Sequence, residues 1–129
     1  MSRQTQIPFS FILDYLMPLQ PRIRPMFGCH AIYVGDKIVF IVRDKETIRD
    51  CNGIWIATSH EHHISLKKEF PNMHSVYLLS DGKGETGWQM LPAEADDFES
   101  AAIKACEMVL HGDERIGKIP KPRKKKKKV

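Results

Sequence analysis

Long uninterrupted apolar runs are missing from these 129 residues. A membrane-spanning helix needs about 20 consecutive apolar residues. The most apolar early stretch, residues 7–19, is broken by Asp14 and Pro18. The first residues also contain no apolar segment followed by a signal-peptide cleavage pattern. These absences predict a cytoplasmic protein that does not contact the membrane.

Cysteine is scarce as well, with only Cys29, Cys51 and Cys106 in the chain. Their number is odd and no two of them form a C-x-x-C pair, which argues against a disulfide scaffold. Reduced thiols are the usual state of cysteine in the cytosol. The sequence therefore predicts three free thiols, and none of them belongs to a nucleophile motif.

Positive charge is concentrated near the C-terminus. Residues 118–129 contain eight Lys or Arg residues and no acidic residue, whereas residues 1–117 contain 12 basic and 16 acidic residues. The net charge of +4 is therefore carried by the tail, and the remainder is mildly acidic. Like charges repel and the tail has little apolar surface to bury. We predict a single domain over residues 1–117 and a disordered Lys-rich tail over residues 118–129.

Three segments have the apolar spacing that is typical of helices: Phe9–Met17, Ser59–Phe70 and the stretch from Asp96 to Gly112. A connector over residues 20–28 follows the first of them. The second begins with a capping box, in which the Thr58 hydroxyl accepts a backbone hydrogen bond and Glu61 reaches back.

Turn residues divide the remaining apolar segments into strands. Gly35-Asp36 predicts a tight hairpin, Asn52-Gly53 signals a turn, and a second hairpin is expected at residues 81–84. Five strands are predicted: residues 30–34, 37–43, 54–57, 75–80 and 86–91.

These elements predict a two-layer α+β domain with a five-stranded antiparallel sheet, in the order α-β-β-β-α-β-β-α. Two of the helices have one apolar stripe each, so we expect them to cover the same sheet face. The other face must then be partly polar or be buried against a partner. Tyr33, Trp55, Tyr77 and Trp88 are its aromatic candidates, and we predict that both Trp residues belong to the core.

The run Arg24-Pro25-Met26-Phe27-Gly28, followed by a hairpin with a glycine turn, resembles the start of the TfoX (Sxy) N-terminal domain. The resemblance implies a small antiparallel sheet with helices on one side, as in YjbR-like proteins and secretion chaperones. It also implies a bacterial, non-enzymatic interaction or regulatory module without catalytic residues or cofactors.

The family's competence regulators carry a second, helical domain, so only the fold of the first module is carried over to this chain. The partner of such a module is left open. We expect either a second copy of the chain, in a dimer formed through a sheet face or edge, or another protein.

Nucleic acid is an alternative partner, because a polycation binds a phosphate backbone by releasing counterions. Eight contacts at most would give a salt slope of about −7 on duplex DNA. The tail has no aromatic residues among its cations, so it offers neither stacking nor base readout. The candidate contacts in the tail are Lys121, Arg123, Lys124, Lys125, Lys126, Lys127 and Lys128.

A metal site is the second alternative, because His60, His62 and His63 crowd one helix start. The zinc-protease motif needs His-Glu-x-x-His, and Ile64 takes the place of its second histidine. His60 and His63 are nevertheless three residues apart and could hold a metal with a third ligand from elsewhere. Cys29 and His30 are the candidates for that third ligand.

Overall fold

The computed structural model describes residues 7–26, 28–76 and 88–119. These residues form three α-helices: α1, Phe11–Leu16; α2, His63–Glu69; and α3, Phe98–Leu110. Three short 3-10 helices lie between them: Met17–Leu19, Arg49–Cys51 and His60–His62. The α+β class predicted from the sequence is confirmed.

Within the described ranges, the strands form one antiparallel sheet of six strands in the order β1-β2-β3-β4-β6-β5. Their bounds are β1, Arg22–Met26; β2, Cys29–Val34; β3, Lys37–Arg43; β4, Gly53–Ile56; β5, His74–Ser75; and β6, Gln89–Pro92. The element order along the chain is therefore α-β-β-β-β-α-β-β-α.

The prediction of five strands is wrong, because the segment expected to be a connector contains β1. Arg22 pairs with Tyr33 and Arg24 pairs with Ala31, so β1 is the outermost strand next to β2. Such pairing depends on a segment about ten residues away, and a short polar strand with a proline has no local strand signature.

The hairpin predicted at Gly35-Asp36 is confirmed. Val34 pairs with Lys37 across it, and Gly35 has φ +62°, a left-handed conformation that glycine adopts without strain. The two later predicted strands are confirmed only in part, at β5 and β6. The rest of these strands, the expected turn at residues 81–84 and Tyr77 lie outside the described residues.

The capping box predicted for the second helix is wrong. Thr58 is buried, and its Oγ1 has no hydrogen-bond partner among the described residues. The chain instead makes a 3-10 turn over His60–His62 before α2 begins at His63. The first helix is also shorter than predicted. The last helix has Asp97, not Asp96, as its N-cap, without a side-chain hydrogen bond.

All three helices pack on one face of the sheet. Ile12 and Leu16 of α1, Leu66 of α2 and Ala105 of α3 share a core cluster with Phe40 of β3. The other face, which we call the second face, is apolar and buried as well. Its central residues are at most 1% exposed: Ala31, Ile41, Trp55 and Met90.

The sequence predicted a second face that is partly polar or buried against a partner, whereas its centre is apolar and buried within the single chain. Trp55 belongs to the core, as predicted, and Trp88 is partly buried against the same cluster. The centre of the second face is therefore not available to a second copy of the chain.

Candidate functional site

Two arginine side chains lie side by side on the edge strand β1. Arg22 and Arg24 are two residues apart, so they point to the same side of the sheet. Their guanidinium carbons lie 5.7 and 6.0 Å from the centre of the Tyr33 ring, within cation–π distance. Arg22 Nη2 also donates a hydrogen bond of 2.7 Å to the carbonyl oxygen of Gly35. Both cations are exposed but held in place.

The C-terminal segment joins the sheet beside β3, on the side away from β1 and β2. Lys118 forms an antiparallel bridge with Ile38, with backbone N···O distances of 2.9 and 3.0 Å. Ile38 pairs with Tyr33, and Tyr33 pairs with Arg22. One row across the sheet therefore joins Arg22 to Lys118, over three strand spacings or about 14 Å. We call Arg22, Arg24 and Lys118 the basic edge.

The residues of β1 also protect this edge of the sheet. Pro25 has no N–H to donate, and pairing of two copies of β1 would bring four arginines to one seam. Charge and proline on an outer strand are common devices against edge-to-edge pairing. These features of β1 disfavour pairing of its outer edge with another strand.

The predicted family motif lies at the turn from β1 to β2. Arg24 and Pro25 belong to β1, and Met26 packs partly buried against the second face. Gly28 has φ +74°, and the Lys45 side chain passes 2.7 Å from where a Cβ would stand. Phe27 lies outside the described residues.

A second candidate site lies at the opposite end of the sheet, between α2 and the β5 edge. It is an open groove of about 690 Å³, which we call the α2 groove. His60, Lys68 and His74 are exposed in it, and Met73 is buried beneath them. The described residues that line it are His60, His63, Ile64, Lys67, Lys68, Met73, His74, Ser75 and Gln89.

The predicted metal ligands are brought together only in part. The His60 and His63 rings lie 4.8 Å apart between centroids, while His62 lies 3.3 Å from the Glu61 carboxylate. Within the described ranges, no group of three His, Cys, Asp or Glu side chains is placed to hold a metal ion.

The two proposed third ligands belong to another part of the fold. Cys29 and His30 lie on β2, and burial raises the pKa of the Cys29 thiol although Lys45 and Arg43 oppose the rise. A raised pKa disfavours the thiolate that a metal would need. Of the ligands predicted for a metal site, only His60 and His63 therefore lie close together in the described part of the chain.

Sequence reasoning missed most of both sites. Arg22 was part of the expected connector. The alternation of charged and apolar side chains at Arg22, Ile23 and Arg24 is a local signal that could have indicated a strand. His74 and Gln89 come to the α2 groove from two neighbouring strands, which no local pattern could indicate. The candidate tail contacts, from Lys121 to Lys128, lie outside the described residues.

In the part of the chain that the structure describes, no helix is long and apolar enough to cross a bilayer. Comparison of the chain with protein-family models, with curated proteins and with solved structures found no match to any of them. The resemblance to the TfoX N-terminal domain stays a prediction.

Proposed function

We propose that this chain is a non-enzymatic binding module of the TfoX N-terminal type, and that its partner is the phosphate backbone of a nucleic acid. The observation that carries the proposal is the row from Arg22 through Tyr33 and Ile38 to Lys118. It places the two held arginines about 14 Å from Lys118, the first residue of the Lys-rich tail.

The arginines have the chemistry that phosphate recognition needs. A guanidinium donates two parallel hydrogen bonds to one phosphate, and it is always charged. The Tyr33 ring and the Gly35 carbonyl restrict the arginines before binding. Less conformational entropy is then lost when the partner binds.

The tail adds affinity without sequence preference. Each cation that neutralises a phosphate releases counterions, and residues 118–129 carry eight cations. Neither the tail nor the basic edge presents an exposed aromatic ring, since Tyr33 is only 9% exposed beneath the arginines. Contacts to phosphates position a protein on the duplex but do not read its sequence.

Charge elsewhere on the domain orients the partner. The start of α3 and the turn before it are acidic, with Glu94, Asp96, Asp97 and Glu99 close together in the chain. Helix α3 packs on the helix side of the sheet, whereas Arg22 and Arg24 share the side of Tyr33. A polyanion is therefore attracted to one side and repelled from the other.

The test is fluorescence anisotropy with a labelled duplex of about 20 base pairs at about 50 mM salt. The full chain is compared with Arg22→Gln/Arg24→Gln and with a chain that lacks residues 121–129. Lys67→Gln/Lys68→Gln is the matched control, because it removes the same charge at the opposite end of the sheet. Circular dichroism verifies that each variant is folded.

We expect both the arginine variant and the shortened chain to bind more weakly, and the lysine control to bind like the full chain. Loss of affinity only on shortening would mean that the tail acts alone and the basic edge does not bind. An equal loss in the lysine control would mean that net charge or the α2 groove, and not the basic edge, accounts for the binding. Absence of binding by the full chain would remove nucleic acid as the partner.

A further inference from the structure

We propose that the α2 groove is a second binding site, and that it takes an organic phosphate with a flat ring, about the size of a mononucleotide. The volume of about 690 Å³ lies within the range of small-molecule sites, roughly 300–1,000 Å³. Its walls combine positive charge, hydrogen-bond donors and apolar surface, and each of these is needed by a different part of such a ligand.

The charge of the groove has one sign. Among its described lining residues, every ionisable side chain is a lysine or a histidine and none is a carboxylate. Lys67 donates from Nζ to the carbonyl oxygen of Met73, which fixes its ammonium group along the groove. Lys68 is exposed beside it. The nearby carboxylate of Glu69 is engaged by Lys104 and Arg115.

The Ser75 hydroxyl, on the edge strand β5, supplies a neutral hydrogen-bond donor to the groove. Gln89, which is 5% exposed, donates from Nε2 to Ser75 Oγ at 2.8 Å and to the carbonyl oxygen of Trp88 at 3.1 Å. Because the Ser75 hydroxyl oxygen accepts this bond, its own proton remains for a ligand oxygen. A phosphate between Ser75 and Lys68 would receive one neutral and one charged hydrogen bond.

Apolar and aromatic surface completes the groove. Ile64 is 76% exposed, which is unusual for so large an apolar side chain, and Met73 is buried below. The His60 and His63 rings form a tilted pair at 4.8 Å. A flat ring has apolar and π contacts there that an inorganic anion cannot use.

The groove is separate from the basic edge. A single row of paired residues crosses the sheet from Arg24 on β1 to His74 on β5, through Ala31, Ile41, Trp55 and Met90. Five strand spacings make this distance about 24 Å. One ligand phosphate cannot contact both sites, so variants at one site serve as controls for the other.

The test is isothermal titration calorimetry of the full chain with three probes: uridine monophosphate, uridine and inorganic phosphate. We expect the monophosphate to bind at least about ten-fold more tightly than either fragment, since it alone uses both halves of the groove. Lys68→Gln should weaken its binding about ten-fold, the usual cost of a charge-assisted hydrogen bond. Ser75→Ala should weaken it less.

Two controls make the result specific. Lys37→Gln removes an exposed charge on β3, and Arg22→Gln/Arg24→Gln removes the basic edge; both should bind the monophosphate like the full chain. The proposal is overturned if the monophosphate does not bind at millimolar concentration, or if Lys68→Gln and Ser75→Ala both leave its affinity unchanged. It is also overturned if the arginine variant alone loses binding, because the ligand would then lie at the basic edge.

Discussion

The buried guanidinium of Arg43 donates a hydrogen bond of 2.8 Å to Oδ1 of Asn52, across the loop that joins β3 to β4. Its Nη1 and Nη2 also donate to the carbonyl oxygens of Ile48 and Thr47, at 2.8 and 3.0 Å. Asn52 in turn bonds the backbone N–H and C=O of Lys45. The Arg43 side chain, which is only 5% exposed, therefore fixes the loop from within.

Replacing Arg43 should loosen that loop. Arg43→Met removes three hydrogen bonds and leaves the buried Oδ1 of Asn52 and two partly buried carbonyl groups without this donor, so we expect a loss of about 2–4 kcal/mol in the free energy of unfolding. Arg43→Lys should not restore it, because an ammonium group cannot reproduce the planar fork. Urea denaturation measures the change. The exposed Arg49→Gln is the control and should stay within about 0.5 kcal/mol of the unchanged chain.

Among the glycines that the structure describes, Gly53 should be the least tolerant of a side chain. A Cβ at this position would stand 2.1 Å from the carbonyl oxygen of Leu91 and 2.9 Å from the amide nitrogen of Ala93, both backbone atoms of the neighbouring segment. We expect Gly53→Ala to cost more than about 3 kcal/mol, because strands β4 and β6 must separate.

Gly35→Ala is the matched comparison for Gly53→Ala. Gly35 also has a positive φ, +62°, but no atom lies within 4 Å of the Cβ position. The cost of Gly35→Ala in the free energy of unfolding is then only the strain of a left-handed backbone at alanine, about 1–2 kcal/mol. If thermal unfolding shows equal losses for the two variants, close approach of the strands is not the cause.

The three cysteines should be unreactive in the folded chain. All three are buried, and none of them is joined in a disulfide. Burial raises the pKa of Cys106 to about 12, with Glu107 adding to the rise, and burial also raises the pKa of Cys29. A thiol reagent needs the thiolate. Titration with Ellman's reagent at about pH 8 should detect three thiols only after denaturation. A fast-reacting thiol in the native chain would contradict the burial of that cysteine.

Acid should weaken a carboxylate cluster around Arg115. Hydrogen bonds from Arg115 hold the pKa of Asp113 below its usual value, and hydrogen bonds from Lys104 and Arg115 do the same for Glu69. When the pKa of a carboxyl group is lower in the folded state, the ionised group stabilises the fold at pH values above its pKa in the unfolded chain, which is about 4 for these groups. This stabilisation is lost as the pH falls through the pKa of the folded state.

Asp113→Asn tests this pH dependence. At neutral pH it should lower the free energy of unfolding by about 0.5–1 kcal/mol, as for a partly exposed ion pair. The difference from the unchanged chain should shrink as the pH falls below about 4. Arg115→Gln should flatten the acid limb further, because Arg115 donates to both carboxylates. A constant difference over this pH range would contradict the assignment.

Local patterns in the sequence predicted the elements whose signals are local. Strand β3 was predicted at its observed bounds, because its apolar run follows a glycine turn. Strand β1 was missed, since its place depends on pairing with β2 and not on its own composition. Thr58 has the sequence spacing of a helix N-cap, but its side chain is buried and a 3-10 turn follows instead.

The candidate sites were less predictable than the fold. The basic edge includes Arg22 and Lys118, which are far apart in the sequence and are brought to about 14 Å of each other only by strand pairing. The sequence indicated the tail cations but not the place where the tail leaves the domain. The sequence indicated the histidines of the α2 groove. It did not indicate Ser75 and Gln89, which complete the groove and belong to no recognisable motif.

The salt dependence of duplex binding tests the central proposal most directly. Affinities of the full chain and of Arg22→Gln/Arg24→Gln are measured between about 50 and 200 mM salt and plotted on logarithmic axes. If both arginines bind phosphates, the slope of the variant should be shallower by about 1.8, at about 0.9 per contact. Lys67→Gln/Lys68→Gln should keep the slope of the full chain. Equal slopes for the full chain and the arginine variant would contradict the role of the basic edge.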